Sequence, residues 1–192
     1  MTNTLASANA LAIVEALQQQ HGKIERMLVA FERQLAIFED GGSPDYELIA
    51  RILAFSVAYL SPQHLAAERP LLMALIDRHL IDGLETEALE MQYDEIVEGA
   101  REASRAVEAV FRDAEVRRER LSQIARDFID SCRRHMKTEE QLFFPTAIES
   151  LGPSDWEAIE RAISTATGVS SDVHYESGQA QYQELVRWGE AG

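Results

Sequence analysis

The chain contains a single cysteine, Cys132, among 192 residues. An intrachain disulfide and any Cys-rich zinc or iron–sulfur site are thereby excluded. Basic residues are also scarce: 18 Lys and Arg stand against 33 Asp and Glu, a formal net charge of -15. Phosphate contacts need clustered Lys and Arg, so nucleic acid is not an expected partner. An acidic chain tolerates cations, which is permissive and nothing more. No apolar run approaches the roughly 20 residues of a membrane span, so no membrane partner is expected. The opening stretch "MTNTLASANALAIVEALQQQ" has no basic n-region and is interrupted by Glu15 and three glutamines. It reads as the start of an amphipathic helix rather than a signal peptide, and a reducing, cytoplasmic setting is the corresponding expectation.

Helix breakers are equally few. Five prolines and ten glycines are present, and six of them fall in three loops: "DGGSPDY" at 40–46, "HLIDGLET" at 79–86 and "LGPSDWE" at 151–157, where Ser154 or Asp155 is placed to cap a following helix. The stretch from 84 to 150 exceeds an ordinary helix length, so a turn is expected at about 112–119. With 46% hydrophobic residues, the chain has enough apolar material for one sizeable core.

That material is spaced in steps of three and four throughout. The first stripe runs Val14, Leu17, His21, Ile24, Leu28, Phe31, Leu35. The second runs Leu53, Val57, Leu60, His64, Glu68, Leu71, Leu75. The third runs Leu89, Tyr93, Ile96, Ala100, Ala103, Val107, Val110. The fourth runs Leu121, Ile124, Phe128, Cys132, His135, Glu139, Leu142. Such stripes mark the buried faces of amphipathic helices. The spacing predicts an all-α, up-down-up-down four-helix bundle over residues 1–150. A short helical extension is expected over 151–192, with "SDWEAIERAIST" as a fifth, covering helix and a weaker tail. Pro62 and Pro70 interrupt the second stripe. They predict either a kink on each side of His64 and Glu68 or two shorter helices.

Three stripe histidines, His21, His64 and His135, lie on three different helices, and Glu68 and Glu139 each follow one of them by four residues. Residues four apart share a helix face, so two such pairs can converge in a bundle core. Buried imidazole and carboxylate are costly unless something satisfies them. Together they suit iron, and also manganese or zinc. A lone stripe histidine is more simply a hydrogen-bonded core residue, and a lone His-x-x-x-Glu arises easily in so acidic a chain; the argument rests on the combination. Glu25 also follows His21 by four, but "KIER" around it reads as a solvated edge. No histidine has Glu three residues before it, as ferritin-like di-iron bundles require, and His-Glu-x-x-His is absent. His79 is expected at a helix end or on the surface, and His174 in the solvated tail. Cys132 is expected to be a small buried apolar residue.

With "QQHGKIERML" in the first helix, "HLAAE" in the second and "HMKTEEQLFFP" in the fourth, the chain resembles the hemerythrin-like proteins of the HHE cation-binding domain family. The resemblance covers roughly residues 9–150, and "DWEAIERAI" is similar to a common C-terminal extension. It implies two non-heme iron ions bridged by an oxo or hydroxo group and by carboxylates. His21, His64 and His135 would be terminal ligands, with Glu68 and Glu139 bridging. Glu140 is the alternative to Glu139, because invertebrate hemerythrins place their last carboxylate five residues after the histidine. Manganese or zinc could substitute. The third helix departs from the family pattern: "QYDEI" puts Tyr93 where a histidine is usual. A phenolate could bind ferric iron there, which would disfavour reversible oxygen carriage and favour peroxide or NO chemistry or redox sensing. The plainer reading is a core tyrosine whose hydroxyl bonds to Glu68, Glu139 or a water.

The resulting expectation is a di-iron protein that binds or senses O2, NO or H2O2, with a protein partner left open. One alternative is an oxidoreductase of the peroxidase or catalase kind, or an iron donor for iron–sulfur repair. Another is a metal-free helical interaction module whose polar core is only hydrogen-bonded.

Overall fold

The computed structural model describes residues 2–57, 65–111 and 117–167. They form α1 (Thr2–Glu39), α2 (Tyr46–Phe55), α3 (Leu65–Asp77), α4 (Gly83–Phe111), α5 (Arg118–Thr138), a π-helical turn (Glu139–Phe143), α6 (Phe144–Ser150) and α7 (Pro153–Thr167). Among the described residues no strand occurs, and the fold is the expected all-α bundle. Its four legs are α1, α2 with α3, α4, and α5 continuing through the π turn into α6. No described helix is long and apolar enough to cross a membrane.

The helix ends follow local chemistry. Asp45 caps α2 by accepting the Leu48 N–H at 2.9 Å. Asp82 and Glu85 form a reciprocal capping box at the start of α4, each side chain accepting the other's backbone N–H. At α7 Asp155 reaches back to the Gly152 N–H and also binds Arg78 at the end of α3, so one carboxylate caps one helix and ties it to another. α1 and α3 both end in a Schellman turn. In α1 the left-handed position is Gly41, with Gly42 N–H on the Ile37 carbonyl. In α3 it is His79, at φ 54°, with Leu80 N–H on the Leu75 carbonyl. The expected helix-end role of His79 is therefore met, in a conformation that glycine adopts more readily.

Along α1 every member of the expected stripe is buried, from Val14 to Leu35. On α4, Leu89, Ile96, Ala100, Ala103 and Val107 are buried; Gly99 lets α4 lie close against α5, where a Cβ would stand 3.5 Å from that of Phe128. α7 lays Trp156 and Ile159 into the core against α1 and α3. The second leg is not one regular helix: α2 ends at Phe55, a π-type turn occupies 56–57, and α3 begins at Leu65. Pro70 lies inside α3, whereas Leu60, Pro62 and His64 lie outside the described residues. The expected turn at 112–119 agrees with the end of α4 at Phe111 and the start of α5 at Arg118.

One stripe position needs correction. Leu142 is 39% exposed, while Phe143 and Phe144 are buried. The cause is the π turn, in which the Phe144 N–H bonds the Glu139 carbonyl five residues back. The extra residue advances the inward face by one position. Pro145 follows directly; it has no N–H to donate and its ring crowds the carbonyl four residues earlier, so a widened turn before it relieves both problems.

The core consists of two apolar clusters with a polar layer between them. On α1, Leu17 belongs to one cluster and Ile24 to the other, with His21 between. On the last leg Met136 and Phe143 belong to opposite clusters, with Glu139 between. The bundle thus sets this polar layer between two apolar ones.

Candidate metal centre

Among the described residues four side chains form the buried layer: His21 from α1, Glu68 from α3, His135 from α5 and Glu139 from the π turn, each no more than 5% exposed. Glu68 Oε1 lies 3.5 Å from His21 Nε2, and its Oε2 lies 3.8 Å from His135 Nε2. Glu139 repeats the arrangement: Oε2 is 3.2 Å from His21 Nε2 and Oε1 is 3.8 Å from His135 Nε2. Each carboxylate therefore turns one oxygen to each imidazole.

The charges of the layer are coupled. Burial opposes protonation of His21, but hydrogen bonding and attraction to Glu139 and Glu68 outweigh it, and its pKa is raised to about 10. His135 is also raised: burial opposes its charge, Glu68 and Glu139 favour it, and His21 repels it. At 3.8 Å its contacts with the carboxylates are too long for hydrogen bonds. Both His135 ring nitrogens are buried with no hydrogen-bond partner among the described residues, which costs about 1–3 kcal/mol per orphaned group.

A metal ion would satisfy this layer. Ligand atoms of His21, Glu68 and Glu139 all lie within 4.8 Å of one another. Donors bound at about 2.1 Å to a shared ion sit about 3 Å apart when at right angles, close to the spacings around His21. Imidazole nitrogen with carboxylate oxygen is a donor set for iron, manganese or zinc.

Tyr93 from α4 packs edge-on to His135, ring centroids 5.8 Å apart. It lines a cavity of about 230 Å³ with Glu68, His135 and Glu139, and with Arg69 and Leu72 from α3. Of the expected site residues, His21, Glu68, Tyr93, His135 and Glu139 come together here; His64 lies outside the described residues, as does His174. Cys132 is buried in the apolar cluster beyond Met136, and burial pushes its thiol well above the usual range. Glu25 is structural, as expected: with Glu32 it grips the Arg133 guanidinium and ties α1 to α5.

Two features of the site were not read from the sequence. His21 stacks on Phe144, ring centroids 5.6 Å apart and 20° from parallel. Its Nδ1 lies 2.9 Å from Glu140 Oε1, so adjacent glutamates serve opposite nitrogens of one ring. The signal for both was Pro145, which marks the π turn that places them.

No curated protein and no solved structure matches the chain significantly. The family model described as Hemerythrin HHE cation binding domain matches residues 12–147, a span holding every residue of the buried layer. The chain thus belongs to the hemerythrin HHE cation-binding domain family.

Proposed function

We propose that the protein holds two non-heme iron ions in the buried layer and uses them to bind or sense a small ligand, O2, NO or H2O2. The observation that carries this reading is the paired presentation of Glu68 and Glu139, one oxygen of each to His21 and one to His135. Glu68 and Glu139, with His21 on one side and His135 on the other, would hold two ions. Iron bound there would supply reversible electron transfer and an affinity for diatomic and peroxide ligands.

The chain's own residues govern access. The cavity is lined by His135 and Tyr93, whereas His21 is closed off by Phe144 and Glu140. A small ligand would therefore enter on the His135 side, between α3 and α4. Leu72 and Leu89 make that approach partly apolar, which limits water. Tyr93, which lines the same cavity, would either ligate a ferric ion or donate its hydroxyl proton to a ligand held beside His135.

The metal-free helical module is the weaker reading, because it leaves the buried His135 nitrogens without hydrogen bonds among the described residues. The test is the visible spectrum of iron-reconstituted wild type and Tyr93→Phe, with and without O2, NO and H2O2. Spectral changes on adding one of these ligands support the reading. A phenolate-to-iron band lost in Tyr93→Phe adds Tyr93 to the ligands. An iron-loaded protein indifferent to all three ligands overturns the sensing role.

A further inference from the structure

Glu139 and Glu140 are neighbours in sequence, yet both reach the same imidazole. Glu139 Oε2 lies 3.2 Å from Nε2 of His21, and Glu140 Oε1 lies 2.9 Å from Nδ1. On a regular helix consecutive side chains diverge by about 100°. Here the π turn begins at Glu139, and Phe144, at its end, stacks on the same ring. One short segment therefore holds His21 at both nitrogens and on one face.

The two carboxylates differ in setting. Glu139 is buried, whereas the Glu140 side chain is 43% exposed and stands on the outer side of the imidazole. An imidazole that gives Nε2 to a metal carries its proton on Nδ1, and that N–H needs an acceptor. A carboxylate in this place fixes the tautomer and ring orientation and raises the basicity of the donor nitrogen. His135 has no comparable support: its Nδ1 has no hydrogen-bond partner among the described residues.

We infer that Glu140 is a positioning residue: it accepts the Nδ1–H of His21 and so orients Nε2 as a metal donor, without itself touching the metal. The inference rests on the proposed metal site. It gives the consecutive glutamates separate roles, Glu139 inside the site and Glu140 behind the ligand.

Zinc, which is diamagnetic, separates the possibilities. Zinc affinity is measured by competition with a chelating dye for wild type, Glu140→Ala and Glu140→Gln, with folding checked by circular dichroism. The slowly exchanging imidazole N–H proton of His21 is followed by NMR in the zinc-loaded proteins. Glu140→Ala is expected to lose about 10–100-fold in affinity and to lose that proton resonance. Glu140→Gln keeps a neutral acceptor, so it retains the resonance and recovers part of the affinity. Unchanged affinity in Glu140→Ala, or a Gln variant no better than the Ala variant, overturns the role of Glu140 while leaving the metal site standing. A wild type that takes up no zinc overturns the metal site, and this inference with it.

Discussion

Glu68 and Glu139 face each other across the bundle and share the same two imidazoles. Each directs one oxygen at His21, at 3.5 and 3.2 Å, and the other at His135, at 3.8 Å in both cases. They come from α3 and from the π turn, so the arrangement depends on the register of two legs of the bundle. The two apolar clusters flank the layer and leave these groups to satisfy one another or a bound cation.

In the metal-free protein this layer makes stability depend on pH. The folded-state pKa of His21, raised to about 10, lies above the ordinary value near 6.5, and His135 is raised as well. A raised pKa contributes stability that is fully present below the unfolded value and is lost as pH rises through the folded one. The melting temperature of metal-free protein should therefore fall between pH 6.5 and about 10, and His21→Gln should flatten that fall. Metal uptake needs the neutral imidazole, so affinity should rise over the same window. A wild-type melting temperature independent of pH over the window would contradict the coupling.

Cys132 should be chemically silent. It is 2% exposed, and burial holds its thiol protonated well above neutral pH, while thiolate is the reactive form. A thiol reagent at pH 8 should label one cysteine per chain only after denaturation. Rapid labelling of native protein would show that the α5 face opens readily.

The two Schellman turns offer a comparison within one molecule. Gly41 takes the left-handed position after α1, and His79 takes it after α3. Histidine pays a steric penalty there that glycine does not. His79→Gly should stabilise the protein by about 0.5–1 kcal/mol, read as a shift in the urea midpoint with unchanged slope. A loss of stability would mean that the His79 side chain makes a contact worth more than its strain.

Much of this was legible in the sequence because it is local. Helical period alone identified the α1 face from Val14 to Leu35, and the same period put His21, Glu68, Tyr93, His135 and Glu139 on inward faces. The misplacement of Leu142 arose because a π turn breaks that period, and only Pro145 hinted at one. The reach of Glu140 to His21 and of Arg133 to Glu25 and Glu32 spans about a hundred residues or more. Such pairings follow from how the legs register against one another, which spacing along one helix does not encode.

The most direct test of the central claim is the iron content of anaerobically reconstituted wild type beside Glu68→Ala and Glu139→Ala. The proposed bridging of two ions by Glu68 and Glu139 predicts close to two irons per chain in wild type and a marked loss in each variant, with all three proteins still helical. Wild type that binds no iron, or variants that hold as much as wild type, would contradict the account.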